Sequence, residues 1–393
     1  MNFQSKRSGF LRQNLSGEKA YFSFVPSPLP PNPIVELDED MRASLKRIYI
    51  GIGRLQTISE AIPDVNMFLA MYVRKEALFS SQIEGTQATL DDILDPMIEE
   101  NANRDVTDVI DNVKAVTFAV SQILDPNGLP LSLRLLRETH NVLLNHSRGH
   151  DKNPGTFRNS QNWIGPTGCT LLSAAYVPPN VEDMNKALCD LEMFIHDESS
   201  GIDPIVKAAL IHYQFETIHP FLDGNGRIGR LLILLYLLHA DLLKTPMLYI
   251  SYFLKLNRSE YYDRMMSVRR VGSYEEWVRF FLIATEAAIS DTLESVNKLC
   301  ELHGNDSTKI KELKARSTVV QRRLDFLGYL EHTPIIEIKR TAVQLGLSFP
   351  TVSKMVKIFV DLGILKEMTG KNRSRIFVYE AYLAVLRKDS TPI

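Results

Sequence analysis

The chain has 393 residues, 45% of them hydrophobic and 23% charged, with a formal net charge of −2. That length allows two or three domains, and the composition is ordinary for a soluble globular protein. No apolar leader follows the polar, basic start MNFQSKRSGFLRQN, and the most apolar run, Leu231 to Leu238, is far shorter than a membrane span of roughly 20 residues, so a cytoplasmic protein with no membrane partner is expected.

Cys169, Cys189 and Cys300 are odd in number and widely spaced, which fits a reducing compartment and argues against a structural zinc site. Charge is uneven: from Asp306 onward 16 Lys+Arg face 9 Asp+Glu (+7), leaving 29 against 38 (−9) for the rest.

In chain order, Pro26, Pro28, Pro30, Pro31 and Pro33 predict an extended, irregular strap over the first 35 residues. Asp38 caps a helix with Met41, Leu45, Ile48 and Ile52 on one face, and a second helix runs from about Asn66 to Glu84 and stops at Gly85. A helical region follows from about 105 to 290. It includes helices over 133–144, 181–196, 204–218, 227–243, 261–271 and 274–293, and a long Pro/Gly-rich stretch over 148–179. Residues 302–316 read as a polar connector. Then come a helix over 338–345, a turn at Gly346-Leu347-Ser348, a helix over 350–362 stopped by Gly363, and strands over 364–367 and 375–379, the order of a winged helix-turn-helix.

The segment His219-Pro220-Phe221-Leu222-Asp223-Gly224-Asn225-Gly226-Arg227-Ile228-Gly229-Arg230 concentrates the chemistry. His219 ends a helix ahead of a proline, and an imidazole suits general-base work near neutral pH. Asp223 offers one hard oxygen for Mg²⁺, with a helix N-cap as its plainer role. Gly224-Asn225-Gly226 lets successive N–H groups face an anion at the start of a helix. Arg227 and Arg230 leave the first helical turn on one side, with forked donors suited to phosphate oxygens. His212 takes a structural role. A Walker loop, an HExxH helix, a GxSxG elbow and a kinase catalytic loop are missing, so the site offers positioning and electrostatics, as nucleotidyl transfer requires.

This string resembles, position by position, the signature HPFx[D/E]GNGRxxR of the Fic family of protein adenylyltransferases, and the likeness runs from about residue 70 to 290. The resemblance implies a mainly α fold: a Fic-type helical bundle with a β-hairpin flap, here followed by a C-terminal winged helix-turn-helix domain. The expected divisions are 1–104 for the strap and the helices carrying an inhibitory motif, 105–300 for the catalytic core and 301–393 for the winged helix. It further implies ATP as substrate and Mg²⁺ on Asp223, with His219 deprotonating a target Ser, Thr or Tyr hydroxyl that attacks the α-phosphorus. Gly224, Asn225, Gly226, Arg227, Ile228, Gly229 and Arg230 would then bind ATP, with Arg227 and Arg230 on the β- and γ-phosphates. Lysine replaces Gly226 in relatives that transfer the γ-phosphate.

Ser80-Ser81-Gln82-Ile83-Glu84-Gly85 resembles the family's inhibitory motif [S/T]xxxE[G/N], in which Glu84 pairs with Arg230 and Ser80 lies one turn earlier. The same glutamate can serve removal of AMP, so a de-AMPylase is one alternative. Another is a nucleotide-sensing transcriptional regulator. Residues 155–165 resemble the flap that docks the target by main-chain pairing. Asn162, Trp163, Ile164 and Gly165 are its nucleotide-side residues, although Trp163 and Ile164 also read as core. Tyr261 and Tyr262 match a tyrosine pair beside the nucleotide, or pack as aromatic core. Partners expected are a hydroxyl-bearing target protein and, through the winged helix, DNA or protein by way of Lys354, Lys357, Lys371, Arg373 and Arg375. A homodimer is left open.

Overall fold

A computed structural model describes residues 5–61, 65–145, 151–166, 168–370, 375–388 and 390–392. Its elements run β1 (Gly9–Asn14), β2 (Tyr21–Pro26), α1 (Glu39–Ala61), α2 (Val65–Ile83), α3 (Leu90–Leu94), α4 (Ile98–Asn101), α5 (Arg104–Leu124), α6 (Leu133–Leu144), α7 (Val181–His196), α8 (Pro204–Ile218) and α9 (Asn225–His239). They continue with α10 (Ser251–Leu256), α11 (Arg258–Val271), α12 (Tyr274–Glu312), α13 (Ser317–His332), β3 (Ile335–Glu337), α14 (Ile338–Gln344), α15 (Phe349–Asp361), β4 (Lys366–Glu367), β5 (Ile376–Val378) and α16 (Glu380–Leu386). The protein is mainly α, and among the described residues no helix is long and apolar enough to cross a membrane.

Two compact units are interleaved in the sequence, one of residues 1–56 and 111–289 and the other of 57–110 and 290–393. The first is built on α8 and α9. Every residue of α8 from Ile205 to Ile218 is buried, as is nearly all of α9, so both helices are enclosed on all sides with their polar side chains inside. Asp203 Oδ1 accepts the Ile205 N–H at 2.9 Å and Pro204 stands in the first turn, which fixes where α8 begins. Trp277 of α12 is fully buried, its indole N–H donating to the Ala209 carbonyl at 2.9 Å.

The expected strap is instead a β-hairpin. β1 pairs antiparallel with β2, from Gly9 opposite Pro26 to Asn14 opposite Tyr21. Pro26 ends the ladder opposite Gly9 and the other four prolines lie beyond it, so the pairing stays intact, and Phe24 is tied down by its N–H donating to the Val177 carbonyl at 2.9 Å.

In the second unit α2 packs on α13, with Leu78, Phe79, Leu327 and Leu330 buried. The expected polar connector is helical. α12 runs through to Glu312, and within this stretch Asp306 is buried and accepts from the Tyr379 hydroxyl and from Lys309, each at 2.6 Å. α13 was not foreseen. Beyond it comes β3, which was not expected either; α14, α15 and the β4–β5 hairpin then follow in the expected order, and the antiparallel sheet has the order β3-β5-β4. Lys354 and Lys357 are exposed on α15, and Arg375 pairs with Glu367, whereas Lys371 and Arg373 lie outside the described residues.

Candidate functional site

α8 delivers His219 as its C-cap, and the backbone there turns left-handed (φ 50, ψ 61), a region that side chains other than glycine seldom occupy. The His219 N–H closes on the Phe215 carbonyl at 2.9 Å. The residue is partly exposed, yet its ring sits deep enough that burial pushes its pKa down to about 3, helped by the nearby charges of Arg269 and Arg158. At Nδ1 no partner meets hydrogen-bond geometry among the described residues, although the Glu216 carbonyl lies near enough to favour the charged ring. At neutral pH the imidazole is therefore unprotonated, the form a general base requires.

The loop from 220 to 224 is held shut by two side chains. Asn225 Oδ1 accepts the Phe221 N–H and Asn225 Nδ2 donates to the Phe221 carbonyl, both at 2.8 Å. From α6, His140 stacks on Phe221 with ring centroids 3.7 Å apart. Because the Gly155 N–H donates to His140 Nδ1 at 3.0 Å, the ring proton sits on Nε2 and is donated to the Asp223 carbonyl at 3.0 Å. Burial pushes the His140 pKa down to about 4, so this tautomer stays neutral. His140 was not singled out in the sequence. Its only signal is a histidine on the buried face of an amphipathic helix.

Gly224, with φ 77, is the N-cap of α9. A side chain there would press on Leu143 at 3.1 Å. The N–H groups of Asn225, Gly226 and Arg227 begin the helix, where no earlier turn offers them a carbonyl, and the positive end of the helix dipole adds to them. Arg227 and Arg230 are buried at 9% and 3% exposure. Asp223 does not cap α9: its Oδ1 accepts the Gly224 N–H at 2.6 Å and lies 3.7 Å from Arg227 Nη2, while the carboxylate remains half-exposed. A single open carboxylate beside helix-start N–H groups and two arginines has the chemistry of a Mg²⁺ ligand whose other ligands are phosphate and water. Among the described residues no cluster of three or more His, Cys, Asp or Glu could cage a metal.

This geometry coincides with known proteins. Residues 130–237 match the Fic/DOC family, and residues 45–121 match the Fic/DOC family N-terminal region. These two segments are where the chain is similar to that family. The protein adenylyltransferase Fic of Drosophila grimshawi is 32% identical over 162 residues, 41% of this chain and 30% of the relative. That of Drosophila melanogaster is 27% identical over 211 residues, 52% of this chain and 39% of the relative. The chain thus aligns with only 30–39% of the length of these relatives. A Fic family protein from Desulfovibrio desulfuricans G20 shares the fold, with 17% identity, a TM-score of 0.54 and coverage of 88% of this chain and 97% of that one.

Around the Fic signature the remaining predicted residues fall in different settings. Asn162 donates to the carbonyls of Phe221 at 3.0 Å and His219 at 3.3 Å, so its amide braces the loop. Of the expected hairpin flap, the backbone pairing formed is one antiparallel bridge, Ile164 with Tyr176. Trp163 is 43% exposed, with its indole N–H on the Cys169 carbonyl at 3.1 Å. Gly165 lies where a Cβ would strike Cys169 Sγ at 2.7 Å. Tyr261 is fully buried and its hydroxyl lies 2.9 Å from His212 Nε2, while His212 Nδ1 meets the Gly229 carbonyl at 2.8 Å. Tyr262 is half-buried against the Tyr261 ring, 4.9 Å between centroids. Ile228 and Gly229 are buried on α9, facing the packing rather than solvent.

The Fic N-terminal segment carries Ser80, buried on α2, and Glu84, exposed one residue beyond the helix. The helix ends as expected at Gly85 (φ 96), with Thr86 N–H on the Ser81 carbonyl at 3.2 Å and Gly85 N–H on the Gln82 carbonyl at 3.0 Å. Gln82 Nε2 also donates to the carbonyls of Ala88 (2.8 Å) and Ser390 (3.0 Å).

Proposed function

We propose that this Fic/DOC chain transfers AMP from ATP to a Ser, Thr or Tyr hydroxyl of a target protein and of itself. The observation that supports it best is the neutral His219 ring, held at the end of α8 one short loop before the donor-rich start of α9. In this reading His219 takes the hydroxyl proton as the oxygen bonds to the α-phosphorus. The bond to the bridging oxygen breaks and pyrophosphate leaves. The opening N–H groups of α9, with Arg227 and Arg230, hold the β- and γ-phosphates and so stabilise charge that builds on the leaving group. Asp223 would hold Mg²⁺, which neutralises phosphate charge when bound.

Within the same proposal Glu84 restrains the enzyme by pairing with Arg230 and denying the γ-phosphate its anchor. Keeping the site 99% closed needs only about 2.7 kcal/mol, within reach of an arginine–carboxylate pair. Glu84→Gly is expected to raise self-labelling from α-labelled ATP by up to about 100-fold. His219→Ala should abolish labelling in either background. Label arriving instead from γ-labelled ATP, or equal labelling by wild type and Glu84→Gly, would reject transfer and restraint respectively.

The exposed Lys354 and Lys357 on α15 support nucleic-acid contact by the C-terminal module, with its excess of positive charge. A gel shift on random duplex at low salt should show binding that weakens as salt rises. No shift at low salt leaves protein contact as the module's role.

A further inference from the structure

The last carbonyls of a helix have no following turn to satisfy them, and at the end of α8 each one finds a donor from elsewhere. Arg269 of α11 donates Nη2 to the Glu216 carbonyl at 3.3 Å and Nε to Thr217 Oγ1 at 3.1 Å. The Tyr176 hydroxyl donates to the Thr217 carbonyl at 2.6 Å. Arg158 donates Nη2 to the Ile218 carbonyl at 3.5 Å and Nε to the His219 carbonyl at 3.0 Å.

Arg158 reaches further. Its Nη1 donates to the Ser160 carbonyl at 3.1 Å, its Nη2 to that of Pro179 at 2.5 Å, and its main-chain N–H to that of Pro220 at 2.9 Å. Arg269 stacks its guanidinium 4.0 Å from the centre of the Tyr176 ring. Both arginines are buried, at 2% and 4% exposure. Among the described residues neither bonds a carboxylate. A buried guanidinium without a counter-ion is costly unless its donors are used; here Arg158 spends its donors on main-chain oxygens, and Arg269 spends its own on the Glu216 carbonyl, the Thr217 hydroxyl and Met266 Sδ.

We infer that Arg158 and Arg269 are positioning residues for AMP transfer, a two-cation cap that holds His219 in its left-handed conformation at the end of α8. The inference rests on His219 being the base. The groups acting on its ring are Arg269 from α11, Arg158 from the flap, Asp223 from the loop and the Glu216 carbonyl from α8 itself. The two cations disfavour a proton on the ring and the two oxygen groups favour one.

The test uses full-length protein carrying Glu84→Gly, with Arg158→Gln, Arg158→Lys and Arg269→Gln added singly. Three quantities are read: the single-turnover rate of self-labelling, ATP affinity by calorimetry, and the titration of the His219 ring by NMR. Arg158→Gln and Arg269→Gln are expected to slow labelling by on the order of 10–100-fold, the scale for a misplaced catalytic group, with ATP affinity within about twofold. Both should move the His219 midpoint upward. Arg158→Lys should recover only part of the rate, because one ammonium cannot span the carbonyls of His219 and Pro179. The inference is overturned if labelling is unchanged, or if rate and ATP affinity fall together while the His219 titration stays put. If Arg158→Gln does not fold, Arg158→Lys and Arg269→Gln carry the same readouts. The NMR titration reports on the cap whether or not AMP is transferred, so its failure is distinct from a failure of the transferase assignment.

Discussion

A histidine with an ordinary pKa of about 6.5 would lose base form steadily below neutrality, with only about 3% left at pH 5. In His219 burial moves that midpoint down to about 3. Since the neutral ring accepts the proton, a lowered pKa extends activity toward acid. The rate of self-labelling by Glu84→Gly should therefore stay nearly level from pH 7.5 to 5, where an ordinary histidine would cost about 30-fold. A fall with a midpoint near 6.5, on protein whose circular dichroism is unchanged, would show that the ring is solvated in the working enzyme. Residue identities in the signature were legible because their chemistry is carried by type and spacing. The supports of His219 were not. Arg158, Arg269 and His140 act on main-chain atoms, and a carbonyl acceptor leaves no mark on the sequence. Asn225 shows the same limit from inside the motif: the glycines beside it announce a phosphate cradle, while its amide is occupied with Phe221.

Among the elements, α8 and α9 set the distance between His219 and the N–H groups that open α9, and Gly229 sets how closely those two helices approach. A Cβ at Gly229 would lie 2.2 Å from Glu216 Oε1 and 3.1 Å from Phe215 Cδ1. Glu216 is itself buried, so it has little room to swing aside. Gly229→Ala should destabilise the protein by about 1–3 kcal/mol, the usual cost of overpacking, and lower its melting temperature. A melting temperature equal to or above wild type would mean that α8 and α9 separate freely. Both helices were readable from sequence, α9 from its apolar run Leu231 to Leu238. The β1–β2 hairpin and α13 were not: proline count masked a pairing that ends at the first of the prolines, and α13 follows a polar stretch whose buried Asp306 is held by the distant Tyr379.

For the whole molecule, sequence reading proceeds segment by segment and so divides a chain into consecutive blocks. Residues 57–110 fold instead with 290–393. That arrangement is legible only from contacts such as Gln82 with the Ser390 carbonyl, Arg387 with Asp91 at 2.7 Å and Lys75 with Asp291 at 3.3 Å, which span 216 to 308 positions. The segment that leads into Glu84 is thereby bonded to the far end of the chain within one compact unit. The acidic body and basic C-terminal region, by contrast, were plain from counting alone.

The two tryptophans of this protein stand in opposite surroundings, Trp163 open to water on the flap and Trp277 sealed beneath α8. Acrylamide can reach the first and not the second. Intrinsic fluorescence thus contains its own reference, and shielding of the accessible emitter offers an optical gauge of anything that settles over the flap.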